Sequence, residues 1–83
     1  MGKRFWYVYI LRNKSQSERH YVGITDNLDD RLARHNAGGM KHTSKARPWV
    51  IETAVAFDVK AKAVAFEKYL KSHSGRVFAK RHF

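Results

Sequence analysis

The sequence predicts an α+β domain: a three-stranded antiparallel sheet with flanking helices, in the order ββαβαα. Three observations predict it. Two runs rich in aromatic and β-branched residues, Phe5-Trp6-Tyr7-Val8-Tyr9-Ile10-Leu11 and His20-Tyr21-Val22-Gly23-Ile24, flank a short polar stretch, the pattern of a hairpin. A further run, Trp49 to about Phe57, follows Pro48. Between and after these strands apolar residues recur at helical spacing: Leu28 and Leu32, then Val59, Ala63, Phe66 and Leu70.

Each element has its own reason. The first run carries bulky apolar groups on both alternating faces, which suits a central strand covered on both sides. Arg12 to Arg19 is polar and charged and reads as the hairpin loop; the returning strand ends at Gly23 and a Thr25-Asp26-Asn27 turn. Pattern alone leaves the register open, and with it whether Tyr9 and Tyr21 share a face. Asn27 is an N-cap for a helix starting at Leu28, and Asp29 and Asp30 sit in its first turn, where the helix dipole favours acids. Leu28 and Leu32 form its buried seam. Arg31 and His35, also one turn apart, share the stripe beside it. Ala37-Gly38-Gly39 ends the helix, and Gly38 to Arg47 reads as a flexible basic loop. Asp58 is expected to cap a second helix, Val59 to about Ser72, buried along its Val59/Ala63/Phe66/Leu70 stripe. Ser74 is expected to cap a last helix, Gly75 to about His82, with Val77 and Phe78 facing inward.

At 83 residues the chain has room for one domain, 1–83, and one core. It contains no cysteine, which excludes disulfides and thiolate metal sites. The run Phe5 to Leu11 is too short to cross a bilayer and has no small-residue cleavage site after it, so a cytoplasmic protein without a membrane partner is expected. Charge is the strongest bulk signal. Seventeen Lys and Arg against seven Asp and Glu give a net +10, a field that favours polyanions and above all nucleic acid. Lys41, Lys45 and Arg47 in the loop, and Lys71, Arg76, Lys80 and Arg81 near the end, are the expected phosphate contacts.

A few residues stand out against this background. Tyr9 and Tyr21 are either core filling or hydroxyls in need of a partner. Arg31 and His35 are either a solvated helix face or, since they lie beside the leucine seam, groups at the core edge, where an arginine needs an anion: a carboxylate of this chain or a ligand phosphate. Glu67 flanks the buried stripe of a lysine-rich helix. An acid in that position is an ion-pair partner or a metal ligand, and a lone carboxylate suits Mg²⁺ better than zinc. His20, His35, His42, His73 and His82 lack zinc spacing, and no phosphate-binding loop or dinucleotide glycine pattern is present.

Taken in order, these residues resemble the GIY-YIG nuclease family. Tyr7-Val8-Tyr9 corresponds to its first signature strand and Tyr21-Val22-Gly23 to its second. Arg31 follows the second tyrosine by ten residues, His35 lies four further on, and Glu67 falls on the later helix. Asn36-Ala37-Gly38, His42-Thr43 before Arg47-Pro48, Glu67-Lys68-Tyr69-Leu70-Lys71 and Ser74-Gly75-Arg76 are similar to the small stand-alone members. The sequence departs from the family pattern in having Tyr7 at the first signature's glycine and no asparagine after Ser74. The resemblance implies a GIY-YIG endonuclease-like fold and metal-dependent hydrolysis of phosphodiesters in DNA more than RNA, structure-selective and linked to repair or recombination. It implies one Mg²⁺ or Mn²⁺ ion on Glu67 and a clamp on the phosphate oxygens from Arg31. Tyr9 is the implied general base passing its proton to His35, and Tyr21 positions phosphate or water. The alternative is a non-catalytic basic module that keeps the scaffold and binds nucleic acid.

Overall fold

The computed structural model describes residues 4–44 and 46–83. Three strands, β1 (Trp6–Asn13), β2 (His20–Thr25) and β3 (Trp49–Phe57), and three helices, α1 (Leu28–Asn36), α2 (Lys60–Lys71) and α3 (His73–His82), follow in the order ββαβαα. The sheet is antiparallel in the order β2-β1-β3, so the doubly apolar first run is the central strand, as its pattern predicts.

Two packed layers follow from the alternation of β1. Val8 and Ile10 point to one face, where Ala63, Leu70 and Phe66 of α2 and Phe78 of α3 cover them. Tyr9 and Leu11 point to the other, where Leu28 and Leu32 of α1, Trp49 and Ala46 close the core. The register is now fixed: Tyr9 pairs with Gly23 and Leu11 with Tyr21, so both tyrosines lie on the α1 face. On the other side of β1 the pairing skips Glu52, since Ile10 meets Thr53 and Leu11 meets Ile51. That bulge re-aims the strand and lets Ile51 rejoin the α1-side core.

The α1 cap is as expected: the Asn27 side chain accepts from the Asp30 amide at 3.1 Å. The later helices correct the expectation in four places. The N-cap position of α2 is Val59 rather than Asp58; Asp58 pairs with Lys62 at 3.8 Å, one turn on. Val59 itself is exposed, because it stands before the first turn and outside the stripe that packs. The last helix starts at His73, capped by Ser72, whose hydroxyl accepts from the Gly75 amide at 3.1 Å, so Ser74 is inside it. Val77 is exposed while Phe78 faces the core, since neighbouring residues of a helix point about 100° apart. Gly75 is required where α2 turns into α3: a Cβ there would overlap the Tyr69 carbonyl and Leu70 backbone. The expected loop after α1 is anchored in the core by Thr43 and Ala46, both buried. No helix among the described residues is long and apolar enough to cross a membrane.

Candidate active site

The site grows from the central strand. Tyr9, 1% exposed, projects from β1 toward α1, and the hairpin register sets Tyr21 diagonally beside it, ring centroids 6.4 Å apart. His35, in the last turn of α1, is fully buried and packs edge-on against both rings, at 5.8 Å from Tyr9 and 5.0 Å from Tyr21.

A chain of hydrogen bonds runs through these groups. The Thr43 hydroxyl donates its one proton to the Met40 carbonyl over a long 3.5 Å. In that orientation it accepts from His35, whose Nδ1 stands 2.6 Å away and then carries the ring proton. This assignment, made from the network, leaves Nε2 bare, and it accepts from the Tyr9 hydroxyl at 2.9 Å. The loop that supplies Thr43 is itself pinned. Trp49 Nε1 donates to the Thr43 carbonyl at 3.0 Å. The Asn36 amide clasps the Trp49 backbone, accepting from its N–H at 2.7 Å and donating to its carbonyl at 3.0 Å.

Gly23 is the second requirement. A Cβ on it would lie 2.4 Å from the Tyr9 oxygen, so the phenol crosses the edge strand only because β2 has no side chain there. Arg31 stands on α1, on the Tyr9 side of the sheet, and Glu67 on α2, on the other side. Burial raises the Tyr9 hydroxyl above the ordinary tyrosine range; interaction with Arg31 pulls it back in part, while Tyr21 and Glu67 push it further up. Burial, seconded by the Arg31 charge, holds His35 below the ordinary histidine range. The resting pair is thus a neutral phenol bonded to a neutral imidazole. Arg31 donates from Nη1 to the Ile24 carbonyl at 3.2 Å, while its Nε is buried with no hydrogen-bond partner. An unsatisfied donor of a charged group is costly and needs an account.

Glu67 is 18% exposed and pairs with Lys71 at 3.2 Å across one helical turn. With Lys71 half-exposed, such a pair is worth roughly 0–1 kcal/mol and does not lock the carboxylate away. Among the described residues no group of three His, Cys, Asp or Glu side chains gathers as a metal nest. A lone carboxylate backed by water and substrate oxygens is nevertheless a donor set that Mg²⁺ accepts.

The structure therefore brings Tyr9, Tyr21 and His35 into contact, with Arg31 on the same face of the sheet, while Glu67 stands on α2, across the sheet, paired with Lys71. It does not gather the expected phosphate contacts into one patch. Lys41 and Arg47 belong to the α1-side loop, where Arg47 donates to the Asn36 carbonyl at 3.5 Å. Arg76, Lys80 and Arg81 lie on α3, against the opposite face of the sheet, and Lys71 is engaged with Glu67. Lys45 lies outside the described residues. Thr43 is the residue that the choice of candidates missed. Its only signal was its place in the His42-Thr43 stretch, and a threonine in a basic loop says nothing of a partner on a helix eight residues back.

Comparison with known proteins places the chain among its relatives. The model of the GIY-YIG catalytic domain matches residues 5–81. The chain is similar to a UPF0213 protein of Staphylococcus haemolyticus, 41% identical over 69 residues that cover 82% of each chain. It is similar to a UPF0213 protein of Cupriavidus pinatubonensis, 37% identical over 73 residues, 87% of this chain and 79% of the relative. It also matches a structure-specific endonuclease subunit SLX1 homolog of Drosophila mojavensis, 40% identical over 72 residues, which are 76% of this chain but 24% of that protein.

Proposed function

The chain belongs to the GIY-YIG catalytic domain family, and from that premise we propose that it hydrolyses phosphodiester bonds in DNA, with a preference for branched or interrupted structures. The observation that supports this reading is the buried Tyr9–His35–Thr43 chain, with Arg31 on the same face of the sheet.

The roles in this reading are as follows. Tyr9 spends its proton on His35 Nε2, which makes its oxygen a better acceptor for the proton of an attacking water. As that proton arrives, the phenol's own moves to Nε2, and Thr43 steadies the imidazolium through Nδ1–H. The resting phenolate would cost roughly 4 kcal/mol at neutral pH for an ordinary tyrosine, and burial here raises that cost. A concerted transfer through a neutral phenol avoids forming it. Arg31, one turn before His35 on α1, would offer its guanidinium to a non-bridging phosphate oxygen, where charge builds in the transition state. Tyr21, half-buried beside His35, is the phenol placed to touch the phosphate. Glu67 would hold a Mg²⁺ or Mn²⁺ ion, whose contribution when bound is to offset charge on the phosphate and the leaving oxygen.

Two observations favour a second reading, a binding module without turnover: Tyr9 is almost wholly buried, and Glu67 is paired with Lys71. One assay separates the two. Branched, single-stranded and duplex DNA and RNA are incubated with the protein in Mg²⁺, Mn²⁺ or EDTA, alongside Glu67→Gln. The hydrolytic reading expects cleavage of branched DNA with either metal, none in EDTA, and at least a 100-fold loss in the variant. Equal cutting by Glu67→Gln, or binding without cleavage under every condition, would sink it.

A further inference from the structure

On the face of the sheet away from Tyr9, a cavity of about 560 Å³ opens between α3 and the β1–β2 hairpin. Its floor is apolar: Ile10, Val22, Leu70 and Ala79, with the Phe83 ring at one side. The ring is 43% exposed and is steadied edge-on by Phe78 at 5.6 Å. The rim is divided by charge. Arg76 and Lys80 stand one turn apart on the same side of α3 as Ala79 and Phe83. Facing them are Glu18, His20 and Glu52, the last held by His20 at 3.3 Å and Arg12 at 3.7 Å. None of these groups takes part in the site described above.

We propose that this groove binds one or two unpaired nucleotides of a single strand, with the backbone along Arg76 and Lys80 and a base on the apolar floor against Phe83. The inference rests on the reading that the partner is nucleic acid. Three features select this occupant. An aromatic ring beside a cationic track is the design that binds single strands without reading sequence. A cavity of this volume has the size of a small-molecule pocket, so it admits a splayed base and not a duplex, whose base faces are hidden. The split rim gives polarity: the α3 side carries two cations, whereas the sheet side carries Glu18 and a Glu52 already engaged by Arg12, so phosphate is drawn to the α3 side. The groove also gives the α3 cations a task that their distance from the Tyr9 face denies them in clamping the cleaved phosphate.

The test is a titration of the ¹⁵N-labelled chain with a four-residue oligodeoxythymidylate in EDTA, where no metal-dependent cleavage occurs. Saturable shifts at the Val22, Leu70, Ala79 and Phe83 amides are expected, with binding about tenfold weaker in Phe83→Ala and weaker again with Lys80→Glu added. Phe83 is exposed, so its replacement leaves the fold intact. Shifts confined to Tyr21, Arg31 and Glu67, undiminished binding by Phe83→Ala, or equal occupation of the groove by a hexaglutamate peptide would each overturn the proposal. Cleavage is measured separately. A chain that fills the groove but never cuts keeps this inference and loses the hydrolytic reading, and one that cuts with an empty groove does the reverse.

Discussion

Thr43 stands 2.6 Å from His35 Nδ1, and the proposed relay needs its hydroxyl to accept there. With its hydroxyl accepting from Nδ1–H, Nε2 is free for Tyr9; without it the ring can turn its N–H toward the phenol and the relay runs backwards. Thr43→Val, which keeps the shape, is therefore expected to lower kcat by up to about 100-fold with little change in KM, and Thr43→Ser to restore it. The ¹⁵N shifts of His35 report the tautomer directly, and an unchanged tautomer in Thr43→Val would remove Thr43 from the account. The same residue sets a pH dependence. His35 is held below its ordinary value of about 6.5, so the unfolded chain binds a proton there before the folded one does. The stability gained by keeping it neutral is complete above about pH 6.5 and is lost as pH falls through that value toward the lowered one. A urea midpoint lower at pH 5 than at pH 7.5 is expected, and a flat profile would contradict the burial of a neutral imidazole.

At the scale of the elements, caps and junctions carry the argument. Ser72 closes α2 and opens α3, donating from its hydroxyl to the Tyr69 carbonyl while accepting from the Gly75 amide. Ser72→Ala is expected to destabilise the chain by about 1 kcal/mol, whereas Ser74→Ala, inside the helix, should change stability by a few tenths. Thermal melts of the two variants separate the caps. This is also where the sequence was hardest to read. Ser72 and Ser74 offer the same chemistry two residues apart, and only the close approach of Gly75 to the Tyr69 carbonyl chooses between them. The central strand and α1 were legible because their signals are local: bulk on both faces of β1, and Asn27 followed by two acids in α1. The meeting of Tyr9 with Tyr21 was not, because register depends on the length of the hairpin connection and on pairing with two neighbours at once. Thr43 joined the site through the anchoring of Trp49 by Asn36, contacts between elements that no periodicity encodes.

The whole molecule carries a net charge of +10, and its cations are divided between two sides of one sheet. Long-range attraction to a polyanion adds over all of them, while close contact must be shared between the loop after α1 and the exposed side of α3. Affinity for duplex DNA is expected to fall with rising salt at a log–log slope near −0.9 for each phosphate contacted. A slope reduced by about one unit in Arg47→Ala, and again in Arg81→Ala, would place both sides on the same duplex; a slope changed by only one of them would assign the duplex to that side. Two faces, one bearing the Tyr9 relay and the other the α3 groove, suit a substrate with both paired and unpaired segments. The account as a whole stands on the Tyr9 hydroxyl. Phenylalanine in its place keeps the ring in the core and leaves His35 Nε2 without its donor, at a cost of about 1–3 kcal/mol in stability. The most direct measurement is the single-turnover cleavage rate of branched DNA in Mg²⁺ by wild type and Tyr9→Phe, each shown by near-ultraviolet circular dichroism to be folded. A loss of at least about 100-fold is the predicted result; equal rates from two folded proteins would show that the phenol is packing and nothing more.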